Sequence, residues 1–354
     1  MSIENRSVGD HPLATGRVGL LLLKFAIPGT VAMLAGALYN IVDQIFIGRG
    51  VGMLGNAATN VAFPIVTICM SVSVLLGMGG AANFSLELGR GNRERAERIA
   101  ANALVFSAIG GVTICLVVRL TLTSLLVRLG ATEEVLPYAV SYAGVTSWGV
   151  PFLVMTVCGS HLIRAGGSPR YSMACNLAGA LLNTILDPIF IFALDMGIAG
   201  AAWATTISQF AGWLLVVRYF LKHRSVRLER KYFRPRLDLL RSIASLGAAM
   251  GVNQLSMMVV QIALNNTLTH YGALSVYGSN APLAASGVIT KVNMIFVAVL
   301  IGLVQGGQPI IGFNYGAGNF DRVRRTFRLM AGMATLLSIC AFAAFQLFPR
   351  EIIG

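Results

Sequence analysis

Two aspartates lie inside long apolar runs. Asp43 is in Tyr39-Asn-Ile-Val-Asp-Gln, and Asp187 is in Asn183-Thr-Ile-Leu-Asp-Pro. Ionisable groups in such runs are costly and are functional candidates by default. Asn183 and Asp187 are four residues apart, so a helix puts them on one face. If the two carboxyl groups meet, two chemistries are open. Crowded and out of water, one of them can hold and carry a proton. Joined by amide and hydroxyl oxygens, with Thr205 or Thr206 as sources, they form a hard-oxygen site for a small cation such as Na⁺. A third use is structural: a polar cluster that ties helices together.

Other residues stand out for related reasons. Pro28, about ten residues into the first apolar run, frees the Lys24 carbonyl and kinks its helix, making a bending point or a static bend. Lys291 lies inside the eighth run. It either extends outward along its aliphatic stem or faces a central cavity. Gln254 and Gln261, seven apart, share a helix face and are followed by Asn265 and Asn266. They line a cavity or hydrogen-bond between helices. Met257, with Met258 and Met294, is core packing or part of an adaptable ligand wall. The histidines, His11, His161, His223 and His270, form no pair with metal-ligand spacing. The five cysteines sit in apolar runs without a CxxC pair and read as packing residues. No nucleophile and base lie together, so neither enzymatic chemistry nor a cofactor is expected.

The elements that must position these residues follow from composition. The chain has 354 residues, 56% hydrophobic and 12% charged, with mean hydropathy +0.73. Soluble domains carry roughly 25% charged residues, so too little polar surface is present to coat a soluble body. An all-α polytopic membrane protein remains. Runs of about 20 apolar residues suffice to cross a bilayer. Nine are found: Val18 to Gly48, Ala57 to Ser85, Ile99 to Val127, Leu136 to Ile163, Tyr171 to Leu194, Ile198 to Leu221, Ile243 to Thr269, Pro282 to Phe313 and Thr326 to Phe348. The N-terminal segment is polar and does not resemble a cleaved signal peptide.

The formal charge is +13. With the N-terminus inside, 22 of the 27 Lys and Arg residues fall in the inner segments and the helix ends beside them. Arg49, Arg119, Arg128 and Arg350 fall outside, and Lys291 lies within a span. That asymmetry predicts a cytoplasmic N-terminus and accounts for the basic charge without nucleic acid.

The chain also repeats itself. Glu87-Leu-Gly-Arg-Gly-Asn follows the second span and Asn314-Tyr-Gly-Ala-Gly-Asn follows the eighth, at an offset of 227 residues. The same offset pairs Gly79-Gly80 with Gly306-Gly307, Leu76 with Leu303 and Val72 with Val299. The G-x-G follows a membrane helix rather than a strand, so it is a tight turn and not a dinucleotide fingerprint. Two copies in the same orientation form a transporter architecture that rocks about a central site. The expected organisation is a cytoplasmic tail over 1–17, a six-helix lobe over 18–221, a basic linker over 222–242 and a partial second lobe over 243–354. The final residues resemble the outer connector after the third span. The chain is therefore expected to stop where a tenth span would begin, at nine helices of twelve. The position matching Asp43 in the second half is Val260, so the charge machinery is asymmetric.

Several segments together resemble the multidrug and toxic compound extrusion (MATE) family. They are Phe25-Ala-Ile-Pro-Gly, Tyr39-Asn-Ile-Val-Asp-Gln-Ile-Phe-Ile-Gly, Leu88-Gly-Arg-Gly-Asn, Ile163-Arg-Ala-Gly-Gly-Ser-Pro and Asn176-Leu-Ala-Gly-Ala-Leu-Leu-Asn-Thr-Ile-Leu-Asp-Pro. Gly197-Ile-Ala-Gly-Ala-Ala-Trp-Ala-Thr and Gln305-Gly-Gly-Gln-Pro-Ile-Ile-Gly-Phe-Asn-Tyr-Gly-Ala complete the set. The resemblance is to the prokaryotic branch and implies two six-helix lobes in a V. It implies export of cationic amphiphilic compounds across the plasma membrane by a monomer, driven by inward Na⁺ or H⁺. By motif, the cation site would be Asp43, Asn183, Asp187 and Thr205, with Tyr39 beside it and Pro28 as the bending point. Ser160 replaces a common Asn, and Gln254 stands where some members carry a second-lobe carboxylate. The alternatives are a lipid-linked precursor flippase, which needs a strongly cationic cavity that Lys291 alone would supply, and a non-transporting remnant.

Overall fold

The computed structural model describes residues 11–222, 228–274 and 280–347, with some side chains between 265 and 292 left aside. A four-residue helix, α1 (Pro12–Thr15), precedes α2 (Val18–Gly50), α3 (Met53–Gly89), α4 (Arg93–Arg128), α5 (Leu136–Ala165), α6 (Pro169–Pro188) and α7 (Gly197–Lys222). A short 3₁₀ turn (Arg230–Phe233) leads to α8 (Leu237–Ala273), α9 (Asn280–Gly316) and α10 (Phe320–Leu347). Among the described residues nine helices are long and apolar enough to cross a membrane. Each matches one of the nine expected spans. The helices run past the apolar runs because amphipathic turns such as Leu237-Asp-Leu-Leu-Arg continue them beyond bilayer length.

In the first lobe α5 is the hub, packed on α3, α4, α6 and α7, while α2 lies on α6. The second lobe meets the first through α8 on α3 and α9 on both α2 and α3. Asn102 on α4, 1% exposed, anchors the connector between lobes. It donates to the Tyr232 carbonyl at 3.0 Å and accepts from the Arg236 amide at 2.9 Å.

The repeated motif is repeated in three dimensions. Gly91 and Gly318 both have left-handed φ, 78° and 74°, which a side chain at either position would strain. Asn92 then caps α4 by accepting from the Arg95 amide. Just before these turns the two copies cross each other. A Cβ on Gly89 would strike the Phe313 carbonyl, and one on Gly316 would strike the Leu86 carbonyl. These are reciprocal contacts, since Gly316 and Phe313 are Gly89 and Leu86 displaced by 227. Glycine is required because backbone meets backbone.

This crossing begins a seam at the end of the bundle where the basic connectors gather. Gly79 faces Ile243 and Gly247, Gly306 faces Ala26, and Gly302 faces Thr30. Hydrogen bonds reinforce it. Asn83 donates to the Ser242 carbonyl at 2.9 Å, and Gln308 donates to the Met78 carbonyl at 3.0 Å. Ser71 donates to the Gly251 carbonyl at 2.8 Å, marking the far limit of the hydrogen-bonded contact between α3 and α8. Beyond it α8 exposes Val252, Val259 and Val260 at about 60% each. The glycine contacts and hydrogen bonds that join the lobes thus gather toward the basic end.

Candidate cation site

Three helices bring the two aspartates together in the half of the first lobe away from the basic end. Asp43 sits two turns before the end of α2, Asp187 at the last turn of α6, and Thr205 two turns into α7. Asp43, Asn183, Asp187 and Thr205 are 7%, 1%, 0% and 8% exposed. The carboxyl groups of Asp43 and Asp187 lie against each other, close enough to share a proton as a hydrogen bond. Asn183 donates through Nδ2 to Asp187 Oδ1 at 3.2 Å and to Thr205 Oγ1 at 3.3 Å. Asp43 Oδ1, Asn183 Oδ1 and Asp187 Oδ2 are all buried with no hydrogen-bond partner. Among the described residues no Lys or Arg pairs with either carboxylate.

Three buried acceptor oxygens of this kind are what a proton or a hard cation satisfies. Carboxylate and amide oxygens have the donor chemistry that Na⁺ takes. The local backbone contributes too. Pro188 follows Asp187 and has no N–H to continue the helix, and the next residues, Ile189–Ala193, form a π-helical turn.

The remaining sequence candidates separate into groups. Tyr39, one turn before Asp43, stands beside both carboxylates. Thr206 does not join the cluster: its hydroxyl donates to the Ala202 and Val145 carbonyls at 2.9 and 3.4 Å, tying α7 to α5. Pro28 is buried in the seam, next to the Gly29–Gly302 approach. Ser160 accepts from Asn176 Nδ2 at 3.2 Å, so α5 and α6 remain tied there. Gln254 and Gln261 lie on α8 in line with Ile243, Gly247 and Gly251, the residues that face α3, while Met257 is 58% exposed on the flank. These three are on the other lobe, away from the aspartates. The Lys291 side chain lies outside the described residues.

Two buried residues were not singled out by sequence, one at the cluster and one away from it. Tyr142 on α5 meets Thr205 through its hydroxyl and neighbours Asp43, Asp187 and Tyr39. A tyrosine near a helix end carries no spacing signal toward residues 45 or more positions away. Arg164 is one of the 22 basic residues of the inner segments and the helix ends beside them. Yet it is 5% exposed, between the lobes.

A family model described as MatE matches residues 28–189 and 249–354, which include both aspartates and most of the glycine seam. The chain belongs to the MatE family. Curated MatE relatives include the multidrug export protein MepA of Staphylococcus aureus strain MSSA476, 27% identical over 332 residues, 92% of this chain and 71% of the relative. The MepA of Staphylococcus saprophyticus is 27% identical over 340 residues, covering 94% and 72%. Among solved structures, a MATE transporter in its bent conformation superposes with TM-score 0.87 at 26% identity, covering 96% of this chain and 75% of that one. An outward-facing multidrug resistance MATE transporter superposes with TM-score 0.89 at 25% identity, covering 99% and 76%. The two-lobe MatE fold and a role in efflux transport follow from membership.

Proposed function

We propose that this MatE transporter is a cation-coupled antiporter that exports cationic amphiphilic drugs and toxic compounds across a prokaryotic plasma membrane, with its basic end in the cytoplasm. The observation that carries the reading is the buried Asp43–Asp187 pair, which has an unpartnered oxygen on each carboxyl group and a third on Asn183, with no basic side chain among the described residues to neutralise it. Two carboxylates held together out of water repel strongly, and a bound proton or Na⁺ relieves that repulsion. The charge of the pair then depends on which side of the membrane the site last met. α2 carries Asp43 and also Pro28, so a change at the pair has a bending point through which to reach the seam. The excess of Lys and Arg at one end supports the orientation. The name of the MepA relatives supports drug export.

A lipid-linked precursor flippase would need a strongly cationic central cavity. Arg164 is the single buried arginine or lysine among the described residues, which does not favour that reading.

Dye efflux from cells expressing the protein tests the proposal. Asp43→Asn and Asp187→Asn are each expected to lower efflux at least about tenfold, with normal amounts of protein in the membrane. Full efflux by both variants would overturn the coupling role.

A further inference from the structure

Arg164 is a further buried charge in the first lobe and, unlike the ion-paired Glu87 and Glu97, it has a neutral partner; the cation site does not use it. It lies in the last turn of α5, buried, with no carboxylate partner among the described residues. Its Nη1 donates to Gln305 Oε1 on α9, across the boundary between lobes. The same nitrogen is 3.6 Å from where a Cβ on Gly29 would sit, which puts the guanidinium beside Pro28 and the Gly29–Gly302 approach. Gln305 in turn places Nε2 at 3.9 Å from Met33 Sδ on α2. One side chain thus joins α5, α2 and α9 at the seam.

Packing is a poor explanation for this residue. A buried ion held by a neutral amide recovers less than a buried ion pair, and an apolar side chain of similar volume commonly stabilises a core more. The arrangement suits a contact that must be made and broken. Closed, the guanidinium gains a charge-assisted hydrogen bond. Opened, it regains water, so part of its desolvation cost is returned and the closed state stays within reach of the open one.

We propose that Arg164 and Gln305 are positioning residues that latch the two lobes together at the basic end, setting how readily that end opens during transport. The latch depends on the lobes parting at this end and its test on the orientation proposed above, and not on the coupling ion or the substrate.

The test uses variants of opposite expected sign. Ser85→Cys supplies the reporter: Ser85 is 1% exposed, and a Cβ on Gly312 of α9 would lie 2.9 Å from its Cβ. That position is sealed while the lobes are closed. Labelling by a membrane-impermeant maleimide is followed in inside-out vesicles, against the same protein without the reporter. Gln305→Ala and Arg164→Gln are expected to raise the labelling rate about fivefold. Gln305→Glu, which turns the neutral contact into an ion pair, is expected to lower it by a similar factor. All three should slow transport. If Arg164→Gln fails to fold, the two Gln305 variants decide alone. Labelling that moves in the same direction for Gln305→Ala and Gln305→Glu, or that moves for neither, would overturn the proposal. Loss of ion coupling, by contrast, would appear as gradient-independent transport with these labelling differences intact.

Discussion

The seam and the candidate cation site are built by opposite rules. At the seam the two halves of the chain are equivalent: Gly89 meets Phe313 as Gly316 meets Leu86. At the polar cluster they are not. Asp43, Asn183, Asp187 and Thr205 all belong to the first lobe, and the matching stretch of α8 carries Val260, exposed at 60%. The difference shows what each region is asked to do. Two lobes that close on one another need matching shapes, so a repeat survives where backbone touches backbone. A charge-sensing site, as proposed for the aspartate pair, would be needed once, and the matching position in the other copy is apolar.

Three predictions bear on that contrast, the largest first. Gly89→Val and Gly316→Val should be similarly severe, because both drive a side chain into a backbone carbonyl. Overpacking costs about 1–3 kcal/mol, and more against backbone, so melting midpoints in detergent should fall by more than about 5 °C in each. A severe loss in one and none in the other would break the equivalence of the seam. Asp187→Asn should behave differently. It removes repulsion from the pair, so in Na⁺-free alkaline buffer its melting midpoint should equal or exceed that of the parent even as transport is lost. A marked drop would make the cluster structural cement. The smallest effect belongs to Tyr142→Phe. Losing its hydroxyl contact with Thr205 is worth about 0.5–1.5 kcal/mol, so half-saturation by the coupling ion should shift by roughly tenfold or less, with the seam unchanged.

Much of this was legible in the sequence, and the reasons can be named. Apolar length revealed the nine helices because a bilayer demands it. The motif offset revealed the repeat, although only the structure shows that its copies touch each other. Asp43 and Asp187 were visible because charge is rare in apolar runs, and Asn183 because four residues make one helical turn. Tyr142 was not visible, since its place depends on how α5 packs against α7. The burial of Arg164 was not visible for a similar reason. Near a helix end an arginine is ordinarily solvated, and here the arrival of α9 buries it. Thr205 and Thr206 were equivalent candidates until helix rotation turned one toward Asn183 and the other toward α5.

The claim that matters most is that the aspartate pair couples an ion gradient to export. The direct measurement is dye transport in proteoliposomes under an imposed Na⁺ or pH gradient, comparing the parent with Asp43→Asn and Asp187→Asn. The account predicts that one of the two gradients accelerates transport by the parent and that neither variant responds to it. Equal acceleration of the parent and both variants would contradict it.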